Sequence, residues 1–189
     1  MVLVESNIVS AKKKLVFLTG FMGSGKSTIG PILANTLGFD YVDVDKIIEE
    51  KAEKGIIDIF ATVGEQAFRS VERQTLQEVS SLDAAVVSLG GGTIANEENF
   101  ELIHRNGVII YLQLSPEEIL NRVQRRTDRP MLKDDEGKPL SGAELDTRIR
   151  ELLNLREQFY SRADIIVPAD RKKVGATVDE IVKKLRRMI

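Results

Sequence analysis

"GFMGSGKST", residues 20–28, stands directly behind the apolar run 15–18. Glycine, four residues and then Gly25-Lys26-Ser27 complete the pattern G-x-x-x-x-G-K-[ST]. Glycines open backbone conformations closed to other residues and let amide N–H groups approach phosphate oxygens. Residues 27–37 are expected to form a helix whose positive N-terminal end faces the same anion. In that arrangement Lys26 reaches the β- and γ-phosphates of a nucleotide, and the Ser27 hydroxyl binds a magnesium ion. Gly23, Ser24, Gly25, Lys26, Ser27 and Thr28 are the expected nucleotide-binding residues. The alternative is a Gly/Ser-rich turn before an ordinary helix. It leaves the order strand, loop, lysine, helix unexplained.

The rest of the chain is that of a globular protein. Its 189 residues, 42% hydrophobic and 30% charged, suit one domain with a sizeable core. A net charge of −2 gives no bulk reason to bind nucleic acid or an anionic membrane. The chain has no cysteine, so disulfides, thiolate metal sites and a cysteine nucleophile are excluded together. Its one histidine, His104, lacks partners for a metal site or a Ser-His dyad and is expected to serve surface or packing. No apolar stretch approaches the ~18 residues that span a bilayer. The start, "MVLVESNIVSAKKK", is a poor signal peptide because it carries an early acid and no sustained apolar core. The expectation is a cytoplasmic monomer with an unassigned arm over residues 1–12 and one domain over 13–189.

Apolar, often β-branched runs alternate with helix-like segments. Strands are expected at 15–19, 41–44, 85–89, 108–114 and 164–167. Helices are expected at 27–37, 46–54, 65–82, 97–105, 116–126, 143–161 and 177–188. Such alternation predicts an α/β fold, a parallel sheet with helices on both faces. Ser115-Pro116-Glu117-Glu118 combines an N-cap serine, proline at the first helical position and a glutamate three residues on. Ser141 and Glu144 repeat that spacing, and Gly38 and Gly55 stand where helices should stop. The long polar stretch 127–142 is of a length that is commonly mobile and functional. Ligands of an open parallel sheet bind beyond the carboxyl ends of its strands.

The second strand ends "YVDVDK". Asp43 and Asp45 are two apart and project to one side of an extended chain. One can hold the magnesium shell while the other takes a proton from an attacking hydroxyl; Asp45 as mere N-cap of the helix from Lys46 is the alternative. The third strand, "AAVVSLGGG", lacks the magnesium-orienting aspartate of many nucleotide switches, and Asp43 is the substitute. Its three glycines, 90–92, permit a ligand to approach, as a tight turn also would. Arg156 fills a gap in the apolar stripe Leu145, Ile149, Leu152, Phe159 and must find a partner, a ligand or an internal acid. Arg69, four after Glu65 and three before Glu72, reads from spacing as a solvated ion pair worth ~0.2–0.5 kcal/mol. "RRTDRPML" sets Arg125, Arg126 and Arg129 around a proline, either as solvated surface or as a cationic segment closing over ATP.

Taken together these segments resemble the shikimate kinases. The resemblance runs from about Lys14 to Ala169 through six motifs in order: "FMGSGKSTIG", "DVD", "FATVGEQAFRSVE", "LGGG", "RP" and "LREQFY". It implies a P-loop kinase fold like the nucleoside monophosphate kinases, with five parallel strands in the order 2-3-1-4-5 and a mobile lid. It further implies that Asp45 holds the shikimate hydroxyls and acts as base, with Asp43 acting through the magnesium shell. Arg69 and Arg156 would bind the shikimate carboxylate, supported by Gly91 and Gly92, which reverses the reading of Arg69 from spacing. Arg129 would contact the γ-phosphate, and Arg126 or Arg125 would pack on adenine. The departures are "RPML" for the commoner "RPLL" and the acidic insertion "KDDEGKPLSG" in the lid. ATP, magnesium ion and shikimate are the implied ligands. Rival readings are a gluconate or nucleoside monophosphate kinase on the same fold, and a non-catalytic nucleotide sensor. The sensor would have no use for Asp45, Arg69, Arg129 and Arg156.

Overall fold

The structure is a computed structural model, and it describes residues 14–124, 132, 138–170 and 172–188. Five strands, β1 (Lys14–Thr19), β2 (Asp40–Asp43), β3 (Ala84–Ser88), β4 (Gly107–Gln113) and β5 (Ile165–Pro168), form one sheet in the order β2-β3-β1-β4-β5. Every pairing is parallel. Among the described residues, seven α-helices flank or follow them: α1 (Lys26–Leu37), α2 (Val44–Ala52), α3 (Ile56–Val79), α4 (Glu97–Asn106), α5 (Pro116–Val123), α6 (Gly142–Tyr160) and α7 (Val174–Leu185).

The period of two along β1 sorts its side chains between the two faces. Leu15 and Phe17 join a core with α2, α3 and α4, whereas Val16 and Leu18 pack with α1 and α7. Burial on both faces is why the central strands read as continuous apolar runs. A third cluster packs Phe21 of the phosphate loop against Ile119 and Val123 of α5 and Leu145, Ile149 and Leu152 of α6. Leu132 belongs to it and accepts a backbone hydrogen bond from Leu140, 2.9 Å.

The last helix starts and ends three residues before its expected bounds, α3 and α5 each end three residues early, and further departures lie nearer the cavity. Val44 opens α2 rather than closing β2, because the Asp43 carboxylate caps there, accepting from Asp45 N–H at 3.1 Å and Lys46 N–H at 3.4 Å. Asp45 is therefore not the cap. Gly55 does not stop α2 but starts α3; Glu53 ends α2 with φ 52°. The helix expected from Glu65 is preceded by a further helical stretch from Ile56, broken at Gly64 with φ 78° and ψ 171°. Ser115 caps α5 as expected, accepting from Glu118 N–H at 3.3 Å, but Ser141 makes no side-chain cap. His104 is half exposed and stacks on Phe100. The arm 1–12, most of the lid 127–142, and Arg125, Arg126 and Arg129 lie outside the described residues.

Gly30 sets how closely α1 meets the sheet. A Cβ there would stand 2.3 Å from Cε2 of Tyr41. Gly30→Ala gains up to ~1 kcal/mol of helix propensity but overpacks at a cost of ~1–3 kcal/mol. A lower urea midpoint with an unchanged slope is the expected result; a midpoint at or above that of the parent would show that the ring moves aside freely.

Candidate active site

The carboxyl ends of β1, β2 and β3 meet at one cavity of about 1380 Å³. Its walls include residues 22–28, Asp43, Asp45, Glu49, Ser88, Gly91 and Arg122. That is room for a nucleotide and a small acceptor together.

The phosphate loop turns sharply out of β1. At Gly20, φ is 147°, and a Cβ would lie 2.7 Å from the Leu112 carbonyl oxygen and 2.8 Å from Ser24 Oγ. Gly25, φ 97°, precedes α1 with no side chain to cap it, which leaves first-turn N–H groups to an outside acceptor. Lys26 Nζ donates to the carbonyls of Gly20, 2.7 Å, and Phe21, 3.3 Å, and lies 3.5 Å from Ser24 Oγ. Ser24 is buried, while Ser27 and Thr28 are exposed at the start of α1.

Asp45 hangs from the first turn of α2 with its carboxylate against the glycine triplet. A Cβ on Gly90 would be 2.8 Å from its Oδ1. Burial, then the Asp43 carboxylate, push its pKa up to about 6, with Glu72 and Glu49 adding and Lys26 opposing. A carboxylate so placed is ionised at neutral pH yet is a competent proton acceptor.

Arg69 and Arg156 stand behind the next two glycines. A Cβ on Gly91 would lie 3.3 Å from Arg156 Nη1, and one on Gly92 would lie 3.1 Å from Arg69 Nη2. Both ion pairs expected of Arg69 exist, with Glu72 at 2.8 Å and Glu65 at 3.2 Å. The first is not solvated, since Glu72 is 1% exposed. Arg156, 6% exposed, has its guanidinium carbon 5.2 Å from the Phe21 ring centroid, and its Nη1 is buried without a hydrogen-bond partner among the described residues. Tyr160, one turn on, donates from its hydroxyl to the Gly91 carbonyl at 2.7 Å and so holds the triplet.

Two residues do more than the sequence reading gave them. Glu72 accepts from Thr93 Oγ1 at 2.6 Å as well as from Arg69, tying α3 to the turn after β3. Its three-residue offset from Arg69 was visible, its burial was not. Arg122 pairs with Glu118 on α5 at 2.7 Å. The fold also brings its guanidinium to the Gly23 carbonyl, 3.0 Å, and the Ala169 carbonyl, 3.3 Å, at the cavity wall.

The phosphate loop, Asp43 and Asp45 line one cavity, whereas Arg69 and Arg156 are not among its walls and stand behind the glycines that follow β3. The family model for shikimate kinase matches residues 22–186. The chain belongs to the shikimate kinase family. A shikimate kinase of Chlorobaculum parvum is 51% identical over 175 residues, covering 93% of this chain and 94% of that protein. Among solved structures, shikimate kinase from Acinetobacter baumannii in complex with shikimate superposes with a TM-score of 0.83 at 30% identity, covering 93% of this chain and 94% of that one. The family's enzyme from Aquifex aeolicus gives 0.79 at 34% identity, covering 91% and 96%. The fold is thus that of the family, with the sheet order 2-3-1-4-5 expected of it. Among the described residues, no helix is long and apolar enough to cross a membrane.

Proposed function

We propose that this chain transfers the γ-phosphoryl group of magnesium-ATP to the 3-hydroxyl of shikimate, giving shikimate 3-phosphate and ADP. One observation carries the reading. The three glycines after β3 each back a different acceptor-side group: Gly90 faces Asp45, Gly91 faces Arg156 and Gly92 faces Arg69. A base and two guanidinium groups thereby converge within a few residues of backbone, beside the phosphate loop.

The carboxylate of shikimate is the natural partner for Arg156, whose inner nitrogen lacks one, and for the outer side of Arg69. Arginine–carboxylate pairing is strong and orienting because the two planar groups match. Held that way, the ring presents its hydroxyls to Asp45. Asp45 takes the proton late, since a hydroxyl needs little activation when the transition state is loose. Lys26 leaves the loop carbonyls for the β- and γ-phosphates. Arg129 is assigned to the γ-phosphate and Arg126 to adenine on the family resemblance, and Arg122, beside Gly23 and Ala169, adds a further cation to the nucleotide wall. Positioning and electrostatics supply most of the acceleration.

Magnesium fits the oxygen donors at hand. Asp43 already accepts two backbone N–H bonds on Oδ1 and the Tyr41 hydroxyl on Oδ2, leaving room for about one more donor such as a metal-bound water. Ser27 offers a hydroxyl at the start of α1. Among the described residues, no group of three or more His, Asp and Glu forms a protein cage, as suits an ion held mainly by phosphates and water. When bound, the ion neutralises charge on the β- and γ-oxygens. All acceptor groups named come from one chain, which supports a monomer as the working unit.

The test is ADP release with magnesium-ATP and shikimate, gluconate, CMP or no acceptor. Release with shikimate alone is expected; release with another acceptor would undo the arginine assignments, and none with any would favour a nucleotide sensor. A local check is Gly92→Ala, whose Cβ crowds Arg69 without asking for a positive φ. Its KM for shikimate should rise roughly tenfold through the disturbed charge-assisted bond, with KM for ATP within twofold. An unchanged shikimate KM would place the carboxylate away from Arg69.

A further inference from the structure

Tyr41 lies two residues before Asp43 on β2, so both side chains leave the strand on the same side. The ring is held in a tight slot: Gly30 of α1 touches it so closely that a single added carbon would overlap the ring edge. From that slot the Tyr41 hydroxyl donates to Asp43 Oδ2 at 3.2 Å. Ser88 stands opposite Asp43 in the β2–β3 register.

A carboxylate turns easily about its last torsion, where only broad, two-fold preferences act. Asp43 Oδ1 caps α2 through the N–H groups of Asp45 and Lys46. One capped oxygen leaves the plane free to swing; a second bond, on Oδ2, fixes it. The backbone at the root of Asp45 then has a rigid anchor. That anchor matters because Asp45 Oδ1 fits against Gly90 with no space to spare.

We propose that Tyr41 is a positioning residue for phosphoryl transfer: wedged under Gly30, its hydroxyl locks the Asp43 carboxylate and, through the α2 cap, the placement of Asp45. The inference rests on the roles given above to Asp43 and Asp45.

Tyr41→Phe keeps the ring against Gly30 and removes only the hydroxyl. Its kcat should fall roughly tenfold, the loss expected for one hydrogen bond to a charged group. Dissociation constants for shikimate and ADP should stay within twofold. In the ligand-free protein, amide hydrogen exchange at Asp45 and Lys46 should quicken several-fold while β1 and β3 keep their protection. In an Asp43→Ala background the same change should have less than a twofold further effect on kcat. Wild-type kcat with wild-type exchange at Asp45 and Lys46 would overturn the proposal. So would exchange quickened throughout β2 and β3 with both ligands bound more weakly, which assigns Tyr41 to packing alone. An Asp43→Ala enzyme with wild-type kcat would sink the reading of Asp43 itself, a result separable from either.

Discussion

Replacing Asp45 with Asn is expected to lower kcat by at least ~100-fold while magnesium-ATP binding stays within about twofold. Asn keeps the shape against Gly90 but accepts no proton. Near-normal turnover would remove Asp45 from the chemistry. The same variant should be more stable than the parent at neutral pH. Burial and the neighbouring Asp43 raise the Asp45 pKa from 3.8 to about 6 in the folded chain. The folded state thus binds this proton more tightly than the unfolded state does. The stabilisation is complete below pH ~4 and is lost as pH rises through about 6. The neutral amide has no such charge to bury, so Asp45→Asn should match the parent near pH 4. It should exceed the parent by about 3 kcal/mol at pH 8. Denaturant unfolding at both values checks this. An equal gain at pH 4 would mean that ionisation is not its source.

Arg156→Lys is expected to raise the KM for shikimate ~10–100-fold and to leave the KM for ATP within twofold. The guanidinium is buried at 6% exposure, faces the Phe21 ring and points an unpartnered Nη1 past Gly91. Lysine keeps the charge but loses the planar fork, at a cost of ~1.5–3 kcal/mol for a charge-assisted contact. Equal effects on the two substrates would place Arg156 outside the acceptor pocket. Arg69 should respond more mildly, because Glu65 and Glu72 already share its charge.

The central strands were legible because burial on both faces leaves an uninterrupted apolar run. The phosphate loop was legible because its backbone demands glycine at fixed places. The strand order, by contrast, came from the family resemblance, since spacing along the chain does not encode which strands become neighbours. The first part of α3 was missed. Its sequence "IIDIFATV" is rich in β-branched and aromatic residues and follows Gly55, which reads as a helix stop. Gly55 instead begins α3, Gly64 kinks it, and tertiary packing of Ile59 and Phe68 overrides the local preference for strand.

Within the site, the Asp43–Asp45 pair was visible but its division of labour was not. Either aspartate could cap a helix starting one or two residues later, and the choice turns on a backbone bend that the alternation of side chains does not reveal. Arg69 shows the complementary limit. Spacing found both of its acidic partners, yet the value of such a pair depends on burial, and Glu72 is buried and bonded to Thr93 in the turn after β3. Arg122 is similar: its site-facing partner, the Gly23 carbonyl, lies 99 residues away in the chain.

The two outermost strands of the sheet, β2 and β5, are each four residues long. Open strand edges invite pairing with another chain, which leads to aggregation. Here β2 carries aspartate at both ends, one of them exposed, and β5 finishes in Pro168, which has no N–H to offer. A misdocked neighbour would find little ladder to extend and a charge or a proline at the margin. The molecule should therefore return from denaturant in high yield at concentrations where proteins with long, flat sheet borders precipitate.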